Sequence, residues 1–215
     1  MILQTIQPAS VLESLQKNSI VFSRPDSFDY NEEGQPWTFK LSYDWLKKQM
    51  LARGILPKNN ETDVFWAWAW SGDLGKKKVD LRTRPYHRNQ NNVLLTIDKD
   101  PKDILLSDFN LWHYVLNYWA LSASKQDEKM WDKICKNKKT NYYRIKPLPQ
   151  FNAEIEKTWE LIFSLEEKDN GFYCNLEKKL QKYLEVYNQP QIVQATFWNI
   201  NLDELKKVQY INKAP

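Results

Sequence analysis

Val64-Phe65-Trp66-Ala67-Trp68-Ala69-Trp70 is the stretch that decides the fold class. Side chains on an extended chain alternate between faces, so the spacing predicts a strand with Trp66, Trp68 and Trp70 on one side. Ala67 and Ala69 then lie on the other, where small side chains suit a closely packed layer. A cluster of Lys and Arg follows directly. A row of indoles beside such cations can hold a flat or phosphorylated ligand, and it can equally be core.

Outward from this strand, the pattern predicts further strands near both ends of the chain. Ile2–Gln7 reads as an opening strand broken by Pro8, and Ile20–Phe22 as a second. Asn92–Asp98 alternates and stops at Asp-Lys-Asp-Pro101. Gln191–Ile200 reads as one late strand, with Val193, Ala195 and Phe197 set against Gln194, Thr196 and Trp198. Asp203–Lys206 reads as a helical turn and Val208–Ile211 as a closing strand. Helical spacing falls between these strands. Ser10-Val-Leu-Glu13 fits a capping box opening a short helix that Asn18 can end. Phe39–Arg53 carries Leu41, Trp45, Leu46, Gln49 and Met50 at helical spacing, and Gly54 suits the position after the helix. Ser107 or Asp108 can cap a helix reaching Trp119, with Phe109, Trp112, Leu116 and Trp119 on one stripe. Gln126–Asn137, Ala153–Leu165 and Leu176–Val186 are further helices. Strands at both ends with helices between predict an α+β fold, with a mixed or antiparallel sheet and helices packed around it, rather than alternating βαβ units. Its 215 residues suit a single domain over 1–215, with a variable helical segment at about 122–190.

Composition narrows the class. Charged residues are 27% of the chain, as in ordinary soluble proteins, whereas ten Trp, eleven Tyr and nine Phe exceed ordinary usage and call for a role in packing or stacking. The net charge of +4 is unevenly spread. Lys76–Arg88 carries a local +5 and Lys133–Lys146 a local +6, which leaves −7 on the remainder. Two basic patches on an acidic body can receive a phosphate backbone or a dinucleotide, or simply be solvated loops. Cys135 and Cys174 form no metal spacing or disulfide framework, and His87 and His113 are the only histidines, so no metal is expected. The start lacks the basic and apolar runs of a signal peptide, and no window spans a bilayer. A reduced cytoplasmic protein without membrane partners is the expectation.

Much standard chemistry is excluded. Five glycines form neither a phosphate loop nor a dinucleotide fingerprint, and there is no nucleophile elbow. The candidate site residues are instead polar groups interrupting apolar runs. If extended, Asp80-Leu-Arg82-Thr-Arg84 places Asp80, Arg82 and Arg84 on one face, able to aim an Arg fork at phosphate or carboxylate or to form a surface pair. Asp108, Trp112 and His113 lie near one helical side, and His113 and Asn117 are i, i+4 neighbours. His113 can act as general acid, contact a ligand, or sit satisfied beside the apolar stripe. Gln194 is an amide on a strand made for burial, and a buried amide needs partners. Gln4, Gln49, Arg82, His113, Asn117 and Gln194 would be costly to bury without purpose, and a shared cleft lined by the Trp strand would make a ligand site.

These runs carry a resemblance. Leu3–Gln7, Tyr43-Asp-Trp45 with Gln49-Met50 and Arg53-Gly54, Trp66-Ala-Trp68, Asp80-Leu-Arg82, Leu106–Asn117 and Gln194–Trp198 together resemble the bacterial family labelled domain of unknown function 3841. The resemblance spans nearly the whole chain, with little in Ser122–Pro190, and implies no activity. The order of strands, with Ser42-Tyr43-Asp-Trp45 and a late strand bearing Gln194, also resembles small ADP-ribosyltransferases. That resemblance implies NAD as the nucleotide, Gln4 or Thr5 as the first-strand polar residue, Tyr43 stacking on nicotinamide, and Gln194 on the late strand. The chain departs from the pattern in lacking the first-strand Arg or His and in carrying Gln194 where a Glu is usual. An amide can orient a nucleophile but cannot offset positive charge on ribose.

Three functional readings stay open. One is an NAD-using, ADP-ribosyltransferase-like enzyme, with Tyr43 and Trp45 stacking, Arg82 on the pyrophosphate, and Gln194 and His113 orienting the reacting ribose. The second is a nucleic-acid-binding module, with Trp66, Trp68 and Trp70 stacking bases and Lys76–Arg88 on phosphates. The third is a non-enzymatic interaction protein whose aromatics are core. Gln4, Thr5, Gln49, Asp80, Asp108, Trp112, Asn117 and Trp198 complete the candidate ligand contacts.

Overall fold

A computed structural model describes residues 1–23, 38–59, 63–70, 91–122, 124–137, 152–168, 171–175 and 191–211. Strand β1 (Ile2–Pro8) leads into α1 (Ala9–Asn18) and β2 (Ile20–Phe22). Then come α2 (Thr38–Ala52), β3 (Phe65–Trp70), β4 (Asn92–Asp98), β5 (Leu105–Asp108) and α3 (Phe109–Leu116). Helices α4 (Lys125–Asn137) and α5 (Asn152–Thr158) precede the hairpin strands β6 (Leu165–Lys168) and β7 (Gly171–Cys174). The chain closes with β8 (Val193–Phe197), β9 (Asn199–Asn201) and β10 (Leu205–Ile211). Six strands form one sheet in the order β10-β4-β1-β3-β8-β5, and every pairing with a described register is antiparallel. The expected α+β class, with strands near both ends and helices around the sheet, is what the fold shows. Two compact units divide the chain: residues 1–25, 49–106 and 192–215 in one, and 26–48 and 107–191 in the other.

The first unit is built on the sheet. One face is dry and aliphatic: Leu3, Ala67, Val93, Leu95, Ile97, Val193, Ala195 and Phe197 are all at 0% exposure. Ala67 lies directly across from Ala195, and both are fully buried. Helix α1 packs on β1, β2 and β4 and buries Ala9, Leu12 and Leu15. The expected capping box at Ser10 is not used. Pro8 stays in the β1 ladder opposite Asn92 and is itself the N-cap, and Ala9 N–H donates to Asn91 O at 3.0 Å. The helix therefore starts before Ser10, with no side-chain cap, and stops at Ser19, whose left-handed backbone (φ 63°) lets its N–H donate to Leu15 O. Gly54, at φ 76°, follows α2 as expected.

Two further boundaries differ in this unit. The late strand is not continuous: β8 pairs with β3, the chain bends at Trp198, and β9 pairs with β2. Trp198 turns to donate its indole N–H to Ile55 O at 2.9 Å, a tertiary bond that periodicity cannot announce. The row of three indoles is also interrupted. A bulge between Trp68 and Trp70 shifts the register against Gln194 and Val193, so Trp66 and Trp68 remain neighbours and Trp70 lies past an irregular step.

The second unit packs around aromatic rings. Trp159 is fully buried, and Trp45 and Tyr118 meet it edge-on at 5.1 and 4.7 Å. Ser42 Oγ donates to Val115 O, joining α2 to α3. Helix α3 buries Leu111, Trp112 and Val115, not the expected stripe of Phe109, Trp112, Leu116 and Trp119. That longer stripe needs helix to residue 119. Instead Tyr118 takes a left-handed turn (φ 56°), and the N–H groups of Tyr118 and Trp119 donate to Val115 O and Tyr114 O. The expected helix Ala153–Leu165 ends as α-helix at Thr158, continues as a 3-10 helix over Trp159–Phe163, and gives way to β6. Thr158 Oγ1 donates to Ile155 O and accepts from Leu121 N, and Trp159 Nε1 donates to Trp119 O. These tertiary bonds tighten the turn. The β6–β7 hairpin lies in the segment expected to be helical. The expected helix Leu176–Val186 lies outside the described residues.

Candidate functional site

The other face of the sheet is unlike the aliphatic one. Register places Gln194 across from Trp68, Trp68 across from Gln4, Gln4 across from Thr96, and Thr96 across from Lys207. Residues directly paired across antiparallel strands share a face. The result is a transverse row, Lys207, Thr96, Gln4, Trp68 and Gln194, carried on five adjacent strands. Gln4 Nε2 donates to Thr96 Oγ1 at 3.3 Å. Trp66 and Thr196 pair in the next row on this face, and Trp66 meets Trp68 edge-on at 4.5 Å. Trp68 also packs with Leu94 and Ile211, against which Ile6, Trp66 and Ile192 lie. Gln4, Gln194 and Thr196 are buried, while Trp66 and Thr96 are half-buried. Thr196 Oγ1 is buried and has no hydrogen-bond partner among the described residues. The opposite face is apolar apart from Thr5 and Gln7, so most of the sheet's buried polar side chains lie on the Trp68 face.

Several expected contacts do not join this row. Thr5 points to the aliphatic side, where its hydroxyl donates to Trp66 O at 2.9 Å, so Gln4 and not Thr5 is the first-strand residue on the Trp68 face. Gln49 Oε1 accepts from Arg53 Nη1 at 2.6 Å, just past the end of its helix. Trp198 is buried with its N–H committed to Ile55 O. Asp80, Arg82 and the Lys76–Arg88 segment lie outside the described residues.

The remaining candidates belong to the second unit. Trp45 is buried edge-on to Trp159 and stacked on Phe163 at 5.7 Å, a core position in place of the expected stacking platform. Tyr43 and Trp112 meet edge-on at 5.4 Å. His113 is exposed, its Nδ1 2.9 Å from Phe109 O, and Asn117 Nδ2 donates to His113 O at 2.7 Å. Both side chains thus serve their own helix, and Asn117 is its C-cap. Asp108 is the notable group here. As N-cap of α3, its Oδ1 accepts from Asn110 N and Leu111 N at 2.8 and 2.9 Å. Its Oδ2 is buried and has no partner among the described residues. Burial pushes its pKa up to about 6, against the lowering effect of the two backbone N–H donors.

A shallow surface cleft in the first unit is lined by Ile55, Leu56, Lys58, Lys99, Asp103, Trp198 and Asn199. Lys99 at its base is buried, and its Nζ lies 2.8 and 2.9 Å from the Glu204 carboxylate and 3.4 Å from Asn199 Oδ1. Three donors meet three acceptors, so this ammonium anchors β9 and the 3-10 turn Leu202–Glu204 to the end of β4. Sequence reasoning took Asp-Lys-Asp-Pro101 only as a strand end and missed this network, and it left Thr96 out of the site. Among the described residues no three His, Cys, Asp or Glu side chains come together as a metal site. Nor is any described helix long and apolar enough to cross a membrane.

With this geometry in hand, comparison with known families is decisive on one point. The family pattern described as domain of unknown function DUF3841 matches residues 2–206. The chain belongs to this family. No curated protein and no solved structure matches it. The DUF3841 match takes in β1, β3, β4, β8 and the Asp108 cap, and it ends at residue 206, so Lys207 and the rest of β10 fall beyond it. Membership carries no activity with it, and none of these comparisons supports the likeness to ADP-ribosyltransferases.

Proposed function

We propose that this DUF3841 chain binds NAD on the polar face of its sheet, as an ADP-ribosyltransferase-type enzyme. The observation that carries the reading is the row Gln4–Trp68–Gln194 on adjacent strands β1, β3 and β8. Neighbouring strands lie about 4.8 Å apart, so the row spans about 10 Å, the scale of one nucleoside. An indole flanked by two amides suits a flat ring with a hydrogen-bonding edge. Trp66, half-buried beside Trp68, offers the stacking surface. The Gln194 amide can donate to and accept from ribose hydroxyls or a carboxamide. The Thr196 hydroxyl supplies one more buried polar atom on the same face. NAD supplies the scissile bond between ribose C1′ and nicotinamide. Gln194, being neutral, orients the ribose without offsetting the positive charge that builds on it, so slow turnover is expected.

Titration calorimetry with NAD, together with chromatographic detection of free nicotinamide, tests the reading. Binding is expected for the native chain, weakened roughly tenfold in Gln194→Ala, the equivalent of one hydrogen bond to a buried partner. Absence of heat at all NAD concentrations, with no nicotinamide released, refutes it.

A further inference from the structure

We infer that β10 is a homotypic docking edge, through which two copies of this chain join their sheets about a twofold axis. β10 ends the sheet order, paired to β4 on one side, and its outer edge pairs with no described strand. Such an edge presents unpaired N–H and C=O groups. After the register shift between Leu205 and Lys207, the regular stretch is Lys207-Val-Gln-Tyr-Ile211, matched residue for residue with Thr96–Asn92. In antiparallel pairing, residues whose backbone groups point outward must face others of the same kind. A twofold axis between two identical strands therefore passes through one residue and its own copy. The axis that engages the whole regular stretch passes through its midpoint, Gln209.

That register is self-complementary. Gln209 faces its own copy, and two amides can exchange donor and acceptor. Val208 faces Tyr210 of the second copy, twice over, an aromatic against a β-branched side chain on the same face. Lys207 faces Ile211, so its aliphatic stem covers an apolar side chain. No two lysines are opposed. An axis two residues nearer the start of the regular stretch, at Lys207, would set Lys207 against its own copy. Tyr210 is 64% exposed and Val208 half-buried in the isolated chain. The pairing gives this tyrosine, the most exposed large apolar side chain described, an apolar neighbour. Lysines and a bulge often guard an edge against pairing. Here the bulge and Lys206 lie outside the regular stretch, so they limit its length without blocking it. Two five-residue strands bury less than a standard interface of about 1,600 Å², so the dimer is concentration-dependent.

Sedimentation velocity over a dilution series, joined to cysteine crosslinking, tests the inference. The native chain should move from monomer toward dimer as concentration rises, and Tyr210→Lys, at an exposed position, should shift that transition to at least tenfold higher concentration. Under mild oxidation Gln209→Cys should form a covalent dimer, because directly opposed residues fall within disulfide reach. Val208→Cys alone and Tyr210→Cys alone should not exceed the native background, whereas a mixture of the two should crosslink. A monomer at every concentration, or crosslinking of Val208→Cys alone as strong as that of Gln209→Cys, overturns the proposal.

Discussion

Replacing Asp108 by asparagine gives a pH-dependent gain in stability whose size follows from the site. Asp108 caps α3 through Oδ1, and an asparagine Oδ1 can accept the same two N–H groups. What the substitution removes is charge. The carboxyl titrates at about 6 in the folded chain, raised from 3.8 by burial, and near 3.9 when unfolded. Below about pH 4 both states carry the proton and the charge costs nothing. Between about pH 4 and 6 the folded state holds a proton that the unfolded state has released, so stability falls as pH rises. Above 6 both are ionised and the full cost persists. Two pKa units correspond to about 3 kcal/mol. Measured by urea unfolding of both proteins across this range, the stability of Asp108→Asn minus that of the native chain should rise by about 3 kcal/mol between pH 4 and 7. With a slope of about 1–3 kcal/mol/M, that is a relative midpoint shift of about 1–3 M. Taking the difference cancels every other titrating group. A difference that stays flat with pH would show that Asp108 ionises normally and that its second oxygen is solvated or bonded.

Substitutions at two other sites probe the buried polar anchors. Glu204→Gln leaves the Lys99 ammonium buried without its counter-charge and should cost about 3–5 kcal/mol in thermal or urea unfolding, while Lys99→Met combined with Glu204→Leu should recover most of the loss. Tyr118→Phe retains the ring against Trp159 but removes the hydroxyl that donates to Glu156, at a cost of about 1–3 kcal/mol. Tyr118→Gly relieves the left-handed backbone yet empties a fully buried position, and should be less stable than Tyr118→Phe by about 2 kcal/mol or more.

Where local chemistry sets an element, the sequence announces it. The alternation in Asn92–Asp98 yields β4 with those limits, Asp108 caps α3, and Gly54 follows α2. Where a distant partner sets it, the sequence is silent. Thr158 and Trp198 end their elements because of bonds to Leu121 and Ile55, far away in the chain. β5 was hidden because Leu105-Leu-Ser-Asp108 does not alternate and joins a helix without a break. The site was legible in part for the same reason. Gln4, Trp68 and Gln194 could each be flagged as polar or aromatic interruptions, but their common row depends on register. A one-residue slip would have put any of them on the aliphatic face, as the adjacent Thr5 shows.

The contrast between the two sheet faces carries a final expectation. If the aliphatic face supplies the stability, the polar face is free to be poor for folding and good for binding, a trade familiar at functional sites. Thr196 isolates the two effects. Its hydroxyl is buried and without a hydrogen-bond partner among the described residues, and Trp66 lies directly across from it on β3. Thr196→Val keeps the shape and β-branching and removes only the oxygen. Were Thr196 a packing residue, the change would be neutral or slightly harmful. On the binding reading it should stabilise the free chain by about 1–3 kcal/mol, the cost of an unsatisfied buried group, and weaken NAD binding at the same time. Calorimetric melting with and without NAD reads both quantities on one sample. Loss of stability in the unliganded protein would mean that the hydroxyl has a partner in the fold, and the case for this face as a ligand site would lose its buried orphan oxygen.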